Sequence, residues 1–408
     1  MPYYPLHKDL LDQVTSDKYK GNFALWFNKC VPLLSANERS DDKKLKVTNE
    51  KGEENKAHEY YKLVYDKIKT STNLTTLLEK RHVSQMNYCE TMRRVGCKVL
   101  VFCAELTSPL ITGIGQPHPS EVGMVFDHTL GIPYIPASSV KGISRFARNI
   151  ELLNSPNLQA NLEHDKDGEY YFDDEEEWTQ NTMIFGSQNK RGEVVFLDAY
   201  PLNVPDMHVD IMNPHYVKYY QEGASEAPAD NAEPKPIKFL TVKFGTKFVF
   251  RVIISKKSSV NETDVKNMFI NALTREGVGA KTAVGYGLFN KDIIMKEPDE
   301  LDKVVAKMQE DHLKKKEEKI KRDNEEKLAT MSEIDKECYR VSITKNPQDI
   351  DLAYAKIDTF QGEDKVKLAR AIKSAYKSIP GKWGKNKDLS PKQKDKKLTI
   401  NSILGEDD

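Results

Sequence analysis

Asp264-Val-Lys-Asn-Met-Phe-Ile-Asn-Ala-Leu-Thr-Arg-Glu-Gly277-Val-Gly279-Ala-Lys281-Thr282-Ala-Val-Gly285-Tyr286-Gly287-Leu-Phe-Asn290 reads as a helix, its stop, a glycine-rich loop and a short strand. Val265, Met268, Phe269, Ala272 and Leu273 recur at helical spacing, so they share one face. Gly277 then fits a C-terminal cap. The strand signal is Tyr286–Asn290, and upstream Ile237–Phe244 and Lys247–Ser255 read as strands flanking a hairpin turn at Gly245 and Thr246. The loop holds Gly277, Gly279, Gly285 and Gly287 around Lys281 and Thr282. Glycine lets main-chain N–H groups approach a bulky anion, which suits phosphate.

A second such loop lies roughly 165 residues earlier, at Thr112-Gly113-Ile-Gly115, and leads on to Ser138-Ser139-Val-Lys141-Gly142. Ser138 and Ser139 offer N-cap oxygens to a helix whose Val140, Ile143, Phe146 and Ile150 face the core. Lys141, Arg145 and Arg148 then gather on another face. Two glycine loops beside cationic helices suggest a chain of phosphates rather than one nucleotide. With strands at Lys98–Leu106 and Gly192–Tyr200, the alternation of strands and single helices predicts an α+β architecture of ferredoxin-like type.

Outside this core, Asn22–Leu34 and Glu59–Arg81 read as helices, a helical N-terminal layer over residues 1–95. After Pro298 the composition turns to Lys, Glu, Asp and Ala, predicting a long solvated helix over Glu300–Lys327 and a second helical pattern over about Asp349–Ser378. The predicted divisions are residues 96–298 for the core, 299–380 for a charged helical extension and 381–408 for a flexible lysine-rich tail.

The 408 residues contain 62 Lys plus Arg and 62 Asp plus Glu, so no global field attracts a polyanion and any such site is local. Five cysteines without a CxxC pair point to free thiols in a reducing compartment and argue against zinc. No stretch approaches the roughly 20 apolar residues of a membrane span, so the chain reads as soluble and cytoplasmic, with no membrane partner.

The Gly277–Gly287 loop is not a nucleotide-binding P-loop: Ala280 stands where the glycine before the lysine belongs, and the loop follows a helix instead of a strand. Tyr134, Phe126 and Tyr286 are candidates for stacking on bases. Asp127 and His128 raise metal-independent RNA cleavage, with the histidine as base, but a histidine satisfied in the packing is the favoured reading. The acidic run Asp173–Glu177 reads as a solvated loop, not a cation site.

Three strings in order, Gly113 to Gly142, Phe185-Gly-Ser-Gln with Gly192 to Pro201, and Gly277 to Gly287, resemble the RAMP superfamily of CRISPR proteins, and within it the RAMP subunits of the type III-B (Cmr) RNA-guided effector. The resemblance covers about Asn22 to Asn290. It implies a ferredoxin-like, RRM-related RAMP fold with a helical N-terminal insertion layer and a helical C-terminal extension. It also implies a non-catalytic role in antiviral defence, without a cofactor: holding guide RNA (crRNA) paired to target RNA, among other Cmr subunits, at the filament end near the guide's 3′ portion. Such subunits are not thought to be the nuclease; target cleavage is assigned to an aspartate of the repeated backbone subunit. Lys141 and Gly277, Gly279, Gly285 and Gly287 map onto the family pattern. The full RNA-binding set expected is Gly113, Gly115, Ser138, Ser139, Lys141, Arg145, Arg148, Gly277, Gly279, Lys281, Thr282, Gly285, Tyr286 and Gly287, with no catalytic or metal-binding residue. The alternatives are a RAMP endoribonuclease that processes guide precursors through His128, and a structural subunit that touches only protein.

Overall fold

The computed structural model describes residues 21–30, 57–69, 72–116, 118, 122–154, 162–164, 170–172, 175–213, 236–384 and 389–406. The chain forms two compact units, residues 1–305 and 306–408. Leu301 is buried beside Val101, Cys103 and Val249 within the first unit.

The first unit begins with α1 (Phe23–Lys29), α2 (Ala57–Lys69) and α3 (Thr72–Arg94). The single helix expected over Glu59–Arg81 is thus two, and the second runs on to Arg94. Asn22 caps α1 by accepting from the Leu25 amide at 3.0 Å, and Phe23, Trp26 and Phe27 insert into the core. Residues 31–34 of the expected first helix lie outside the described residues. There follow β1 (Lys98–Glu105), α4 (Ala137–Leu153), the small hairpin β2 (Leu162–His164) with β3 (Tyr170–Phe172), and α5 (Glu175–Phe185). Next come β4 (Val194–Phe196), β5 (Tyr200–Pro201), β6 (Met207–Met212), β7 (Ile237–Val242), β8 (Lys247–Ile254) and α6 (Glu262–Asn271).

The principal sheet is antiparallel, with β8 between β1 and β4 and with β5 also pairing on β8. Lys98 pairs with Ile254 and Phe102 with Phe250, while the outer side of β1 makes isolated bridges from Cys103 to Ile294 and from Leu106 to Phe289. Every β8 residue but the first is buried, so this strand is covered on both faces. On one face Phe102 stacks on Phe269 of α6 with centroids 4.4 Å apart. On the other, period-2 alternation brings Val101, Cys103 and Val249 against Met86 of α3.

The hairpin expected across Gly245 and Thr246 does not form. The turn is present, with Gly245 at φ 81°, but β7 pairs with β6 in a separate two-stranded sheet while β8 pairs with β1. Leu106 explains the divergence: its carbonyl accepts from Gly245 and its amide donates to Thr246, so the turn is pinned to the end of β1.

Arg251 sits in β8 with its side chain fully buried. Its Nε and Nη2 donate to the two carboxylate oxygens of Glu297 at 2.8 and 2.7 Å, and its Nη1 donates to Gln85 Oε1 at 2.7 Å. His82, also buried, lies between Pro201 O at 2.9 Å and the guanidinium at 3.5 Å, so Nε2 is the donor and Nδ1 the acceptor. Burial, reinforced by the Arg251 charge, pushes its pKa down to about 4. A folded-state value below the unfolded one means that the unfolded chain binds the proton first. His82 therefore contributes stability that is complete above about pH 6.5 and is lost as pH falls toward 4, by at most about 1.4 kcal/mol per pH unit. Urea unfolding of the protein and of His82→Leu at pH 7, 6 and 5 is expected to show a steeper fall for the former.

The second unit is helical: α7 (Asp299–Thr330), whose first residues belong to the first unit, is followed by α8 (Glu333–Ile343), α9 (Pro347–Ala355), α10 (Gly362–Lys377) and α11 (Pro391–Leu404). The single pattern expected over Asp349–Ser378 is two helices, separated at Ile357–Gln361. The lysine-rich tail expected to be flexible contains α11, started by a Ser390–Gln393 capping box and anchored by fully buried Ile400 beside Leu368 and Ile372. Among the described residues no helix is long and apolar enough to cross a membrane.

Candidate nucleic-acid groove

The last turn of α6 widens into π geometry over Ala272–Glu276 and stops at Gly277, φ 75°, whose amide donates to Ala272 O at 3.0 Å. The loop beyond is tied down at three points. Val278 N donates to Gly287 O, Gly287 N to Pro109 O and Ala280 N to Ile111 O, each at 2.9 Å. A Cβ on Gly287 would stand 1.9 Å from Val278 O, and one on Gly279 would stand 2.2 Å from Ile111 O. These glycines therefore let backbone pack on backbone. The expectation that every loop glycine bares its amide to a ligand is corrected for Gly277 and Gly287, which are buried and already donate within the fold. Lys281 has φ 61°, the one left-handed residue other than glycine among the described residues, and starts a 3-10 turn over Thr282–Val284 that Gly285 closes. In this turn the amides of Gly279, Lys281 and Thr282 have no acceptor within the fold among the described residues.

Across from it, Gly113 (φ 76°) packs against Val125, and Gln116 N returns to Gly113 O at 3.1 Å. Gly115 has open space where a Cβ would stand. Residues 117 and 119–121 of this loop lie outside the described residues. The helix that follows starts at Ala137, ahead of both serines expected to cap it. Asp198 Oδ1 accepts from Ala137 N at 2.7 Å and performs the capping, so Ser138 and Ser139 are exposed first-turn residues, not N-caps. Val140, Ser144 and Ala147 form the buried face of α4, and Phe146, expected in the core, is 49% exposed.

The two loops, so far apart in sequence, meet along one groove of about 570 Å³. Gly113, Ile114 and Gly115 supply one wall, Gly279 and Ala280 another, and Ser139, Gly142, Ile143 and Phe146 of α4 the third. Four of the expected residues, Gly113, Gly115, Ser139 and Gly279, line it. Gly142 and Phe146 were not singled out, yet a Cβ on Gly142 would meet nothing within 4 Å. A glycine inside a helix costs roughly 1 kcal/mol relative to alanine, and here no packing among the described residues accounts for it.

The cations are arranged differently from expectation. Lys141 and Lys281 adjoin lining residues without lining the groove themselves. Neither they nor Arg145 has a carboxylate within ion-pair distance among the described residues. Arg148 is engaged instead, its Nε donating to Asn181 Oδ1 at 2.7 Å. Ser138, Thr282 and Gly285 also stand off the groove wall, Gly285 with open space around it. Tyr286 is a buttress: its hydroxyl donates to Asp210 at 2.6 Å and its ring lies 6.3 Å from Phe239, while burial and that bond push its pKa up to about 12. Phe126 is buried and Tyr134 stacks on Tyr200 at 5.6 Å, which leaves Phe146 as the exposed aromatic side chain of the groove.

Asp127 is a structural acceptor. It takes Thr129 N and Oγ1, Leu130 N and the Tyr200 hydroxyl at 2.6 to 2.9 Å, with Arg81 at 3.3 Å. Burial works against its charge, but the bonds from Thr129 and Tyr200 prevail and hold its carboxyl below the usual range. His128 is exposed, and its carbonyl accepts from Asn22 at 2.6 Å. Among the described residues no three His, Cys, Asp or Glu side chains converge as a metal site. Of the acidic run, Asp173 and Asp174 lie outside the described residues, and Glu175–Glu177 begin α5.

Comparison with known proteins places a RAMP superfamily match over residues 103–290, which contains both loops and α4. The chain is 26% identical over 324 residues to the CRISPR system Cmr subunit Cmr6 of Pyrococcus furiosus, covering 65% of this chain and 93% of that protein. It is 34% identical over 173 residues to the Cmr6 subunit of Saccharolobus solfataricus, covering 41% of this chain and 48% of that one. Among solved structures it matches the cryo-EM structure of the type III-B Cmr-beta bound to cognate target RNA, with a TM-score of 0.39 and 22% identity over 61% of this chain and 78% of that one. It also matches the crystal structure of Cmr6 from Pyrococcus furiosus, with a TM-score of 0.30 and 25% identity over 49% of this chain and 98% of that one.

Proposed function

We propose that this chain, which matches the RAMP superfamily over residues 103–290, is a non-catalytic RNA-binding subunit of a type III-B CRISPR (Cmr) effector, related to the Cmr6 subunits. The observation that carries the reading is the convergence of both glycine loops and α4 on one groove. Its wall offers the Gly279 amide, without an acceptor among the described residues, and the Ser139 hydroxyl; the Lys281 and Thr282 amides, Lys141 and Lys281 stand beside it, and Phe146 offers a face for a base. Donors that bind phosphate without reading bases suit a guide strand whose sequence is read by pairing with target RNA. The path from β1 through α4, β4, β8 and α6 to the residues bridging the far side of β1 supports a ferredoxin-like reading of the core. On this reading other Cmr subunits complete the site, and the subunit caps the filament near the guide's 3′ portion in the cytoplasm.

Gly142→Glu tests the groove. Glutamate is a better helix former than glycine, and it places an anion where the proposal puts a phosphate. A tagged copy purified from its host with its companion chains is expected to lose at least about tenfold in retained short RNA, the scale of one or two charge-assisted contacts. Undiminished RNA retention would remove the groove from the proposal. The rival endoribonuclease has a direct assay: incubation of the purified chain with labelled guide precursor in the absence of metal is expected to leave the RNA intact, and His128-dependent cleavage would favour the rival.

A further inference from the structure

Residues 365–397 carry twelve Lys or Arg against two Asp, a local charge of +10 in a chain whose total is zero, so the remainder carries −10. Lys385, Lys387 and Asp388 lie outside the described residues; the others belong to α10, the turn after it and α11. None of this lies within the RAMP match.

The two helices are joined side by side. Lys373 Nζ of α10 donates to Asn401 Oδ1 of α11 at 2.8 Å and lies 5.5 Å above the Trp383 ring, which stacks on Tyr376. From that seam, Arg370 and Lys377 stand three and four residues from Lys373 on α10, and Lys394 stands seven residues before Asn401 on α11, so these cations flank the seam from both helices. Several lysines are neutralised inside the unit: Lys365 by Asp358, Lys367 by Asp335, Lys373 by Glu406 and Lys396 by Asp351. Arg370, Lys377, Lys382, Lys392 and Lys394 have no carboxylate within 4 Å among the described residues. Apolar packing through Leu368, Ile372 and Ile400 holds the hairpin together against this like-charge repulsion.

We propose that the α10–α11 face is a second RNA-binding surface, taking the phosphate backbone of a single strand independently of the groove in the first unit. A line of cations at helical spacing, none with a carboxylate within 4 Å among the described residues, fits repeated phosphates better than a single small anion.

The test uses the full chain and a labelled, unstructured RNA 30-mer, with affinity measured as a function of salt. Reversing Arg370, Lys377 and Lys394 to Glu is expected to weaken binding about tenfold or more near 0.15 M salt. It is also expected to flatten the log affinity against log salt slope by about 2, at about 0.7 per phosphate contact. Substitution of the three by Gln, which leaves the helices uncharged at these positions, is expected to give the same direction with an unchanged melting temperature. The exchange R370K/K377R/K394R is expected to bind like the parent. The Gly142→Glu groove variant, run in parallel, separates the two sites: loss there with no loss in the Gln triple variant sinks this proposal alone, and the reverse sinks the groove. Unchanged RNA affinity combined with lost capture of companion subunits would reassign the face to an acidic protein surface and overturn the RNA assignment.

Discussion

Gly287→Ala is expected to destabilise the first unit by about 3–5 kcal/mol, through two penalties that add. At φ 70° a Cβ meets the following carbonyl, a cost of roughly 1–2 kcal/mol. The same methyl would stand 1.9 Å from Val278 O, a buried main-chain atom that moves only by breaking the bonds from Val278 to Gly287 and from Gly287 to Pro109. Each buried amide or carbonyl left unpaired costs about 1–3 kcal/mol. Gly285→Ala is the matched control, since it shares the left-handed backbone at φ 94° but has open space around it. It should cost no more than about 2 kcal/mol. Denaturant midpoints of the two variants decide the matter. Equal losses would mean that the loop relaxes around the methyl and that close backbone packing does not set the geometry of the groove.

Glu297→Ala is expected to cost a similar amount, about 3–5 kcal/mol, for an electrostatic reason. Arg251 is fully buried in the central strand, and both carboxylate oxygens of Glu297 answer its fork. Removing the acid strands a guanidinium in a medium of low dielectric, with Gln85 Oε1 and the more distant His82 Nδ1 as the acceptors that remain. The double variant R251M/E297A removes both charges and should recover most of the loss, because the pair is worth far less than its broken half costs. It should also reduce the acid sensitivity attributed to His82, whose pKa is held down first by burial and then by the Arg251 charge. A double variant as unstable as the single one would mean that Arg251 matters for its packing alone.

The local features were legible in the residues. The helix 262–271 and its glycine stop, the strands 98–105 and 247–254, and the long charged helix follow from period and punctuation, which depend on near neighbours. What failed were statements that required knowing which surface meets which. The turn at Gly245 looks like a hairpin in sequence, and its strands part because Leu106 holds the turn to another sheet. Phe146 fits a core-facing spacing, yet the buried stripe of α4 runs through Val140, Ser144 and Ala147. The lysine run looks too charged to order, and buried Ile400 orders it.

By itself the sequence determined the RAMP-like order of motifs, the two glycine-marked loops and the local excess of positive charge near the C-terminus, because composition and short-range spacing are properties of the chain alone. The tertiary structure alone decided that the loops share one groove, that Gly287 and Gly279 let backbone pack on backbone at Val278 and Ile111, that Tyr286 and Arg148 are held by Asp210 and Asn181, and that Gly142 opens onto the groove. Those outcomes depend on which long-range surfaces pack together, and a residue's burial and partners exist only once they have.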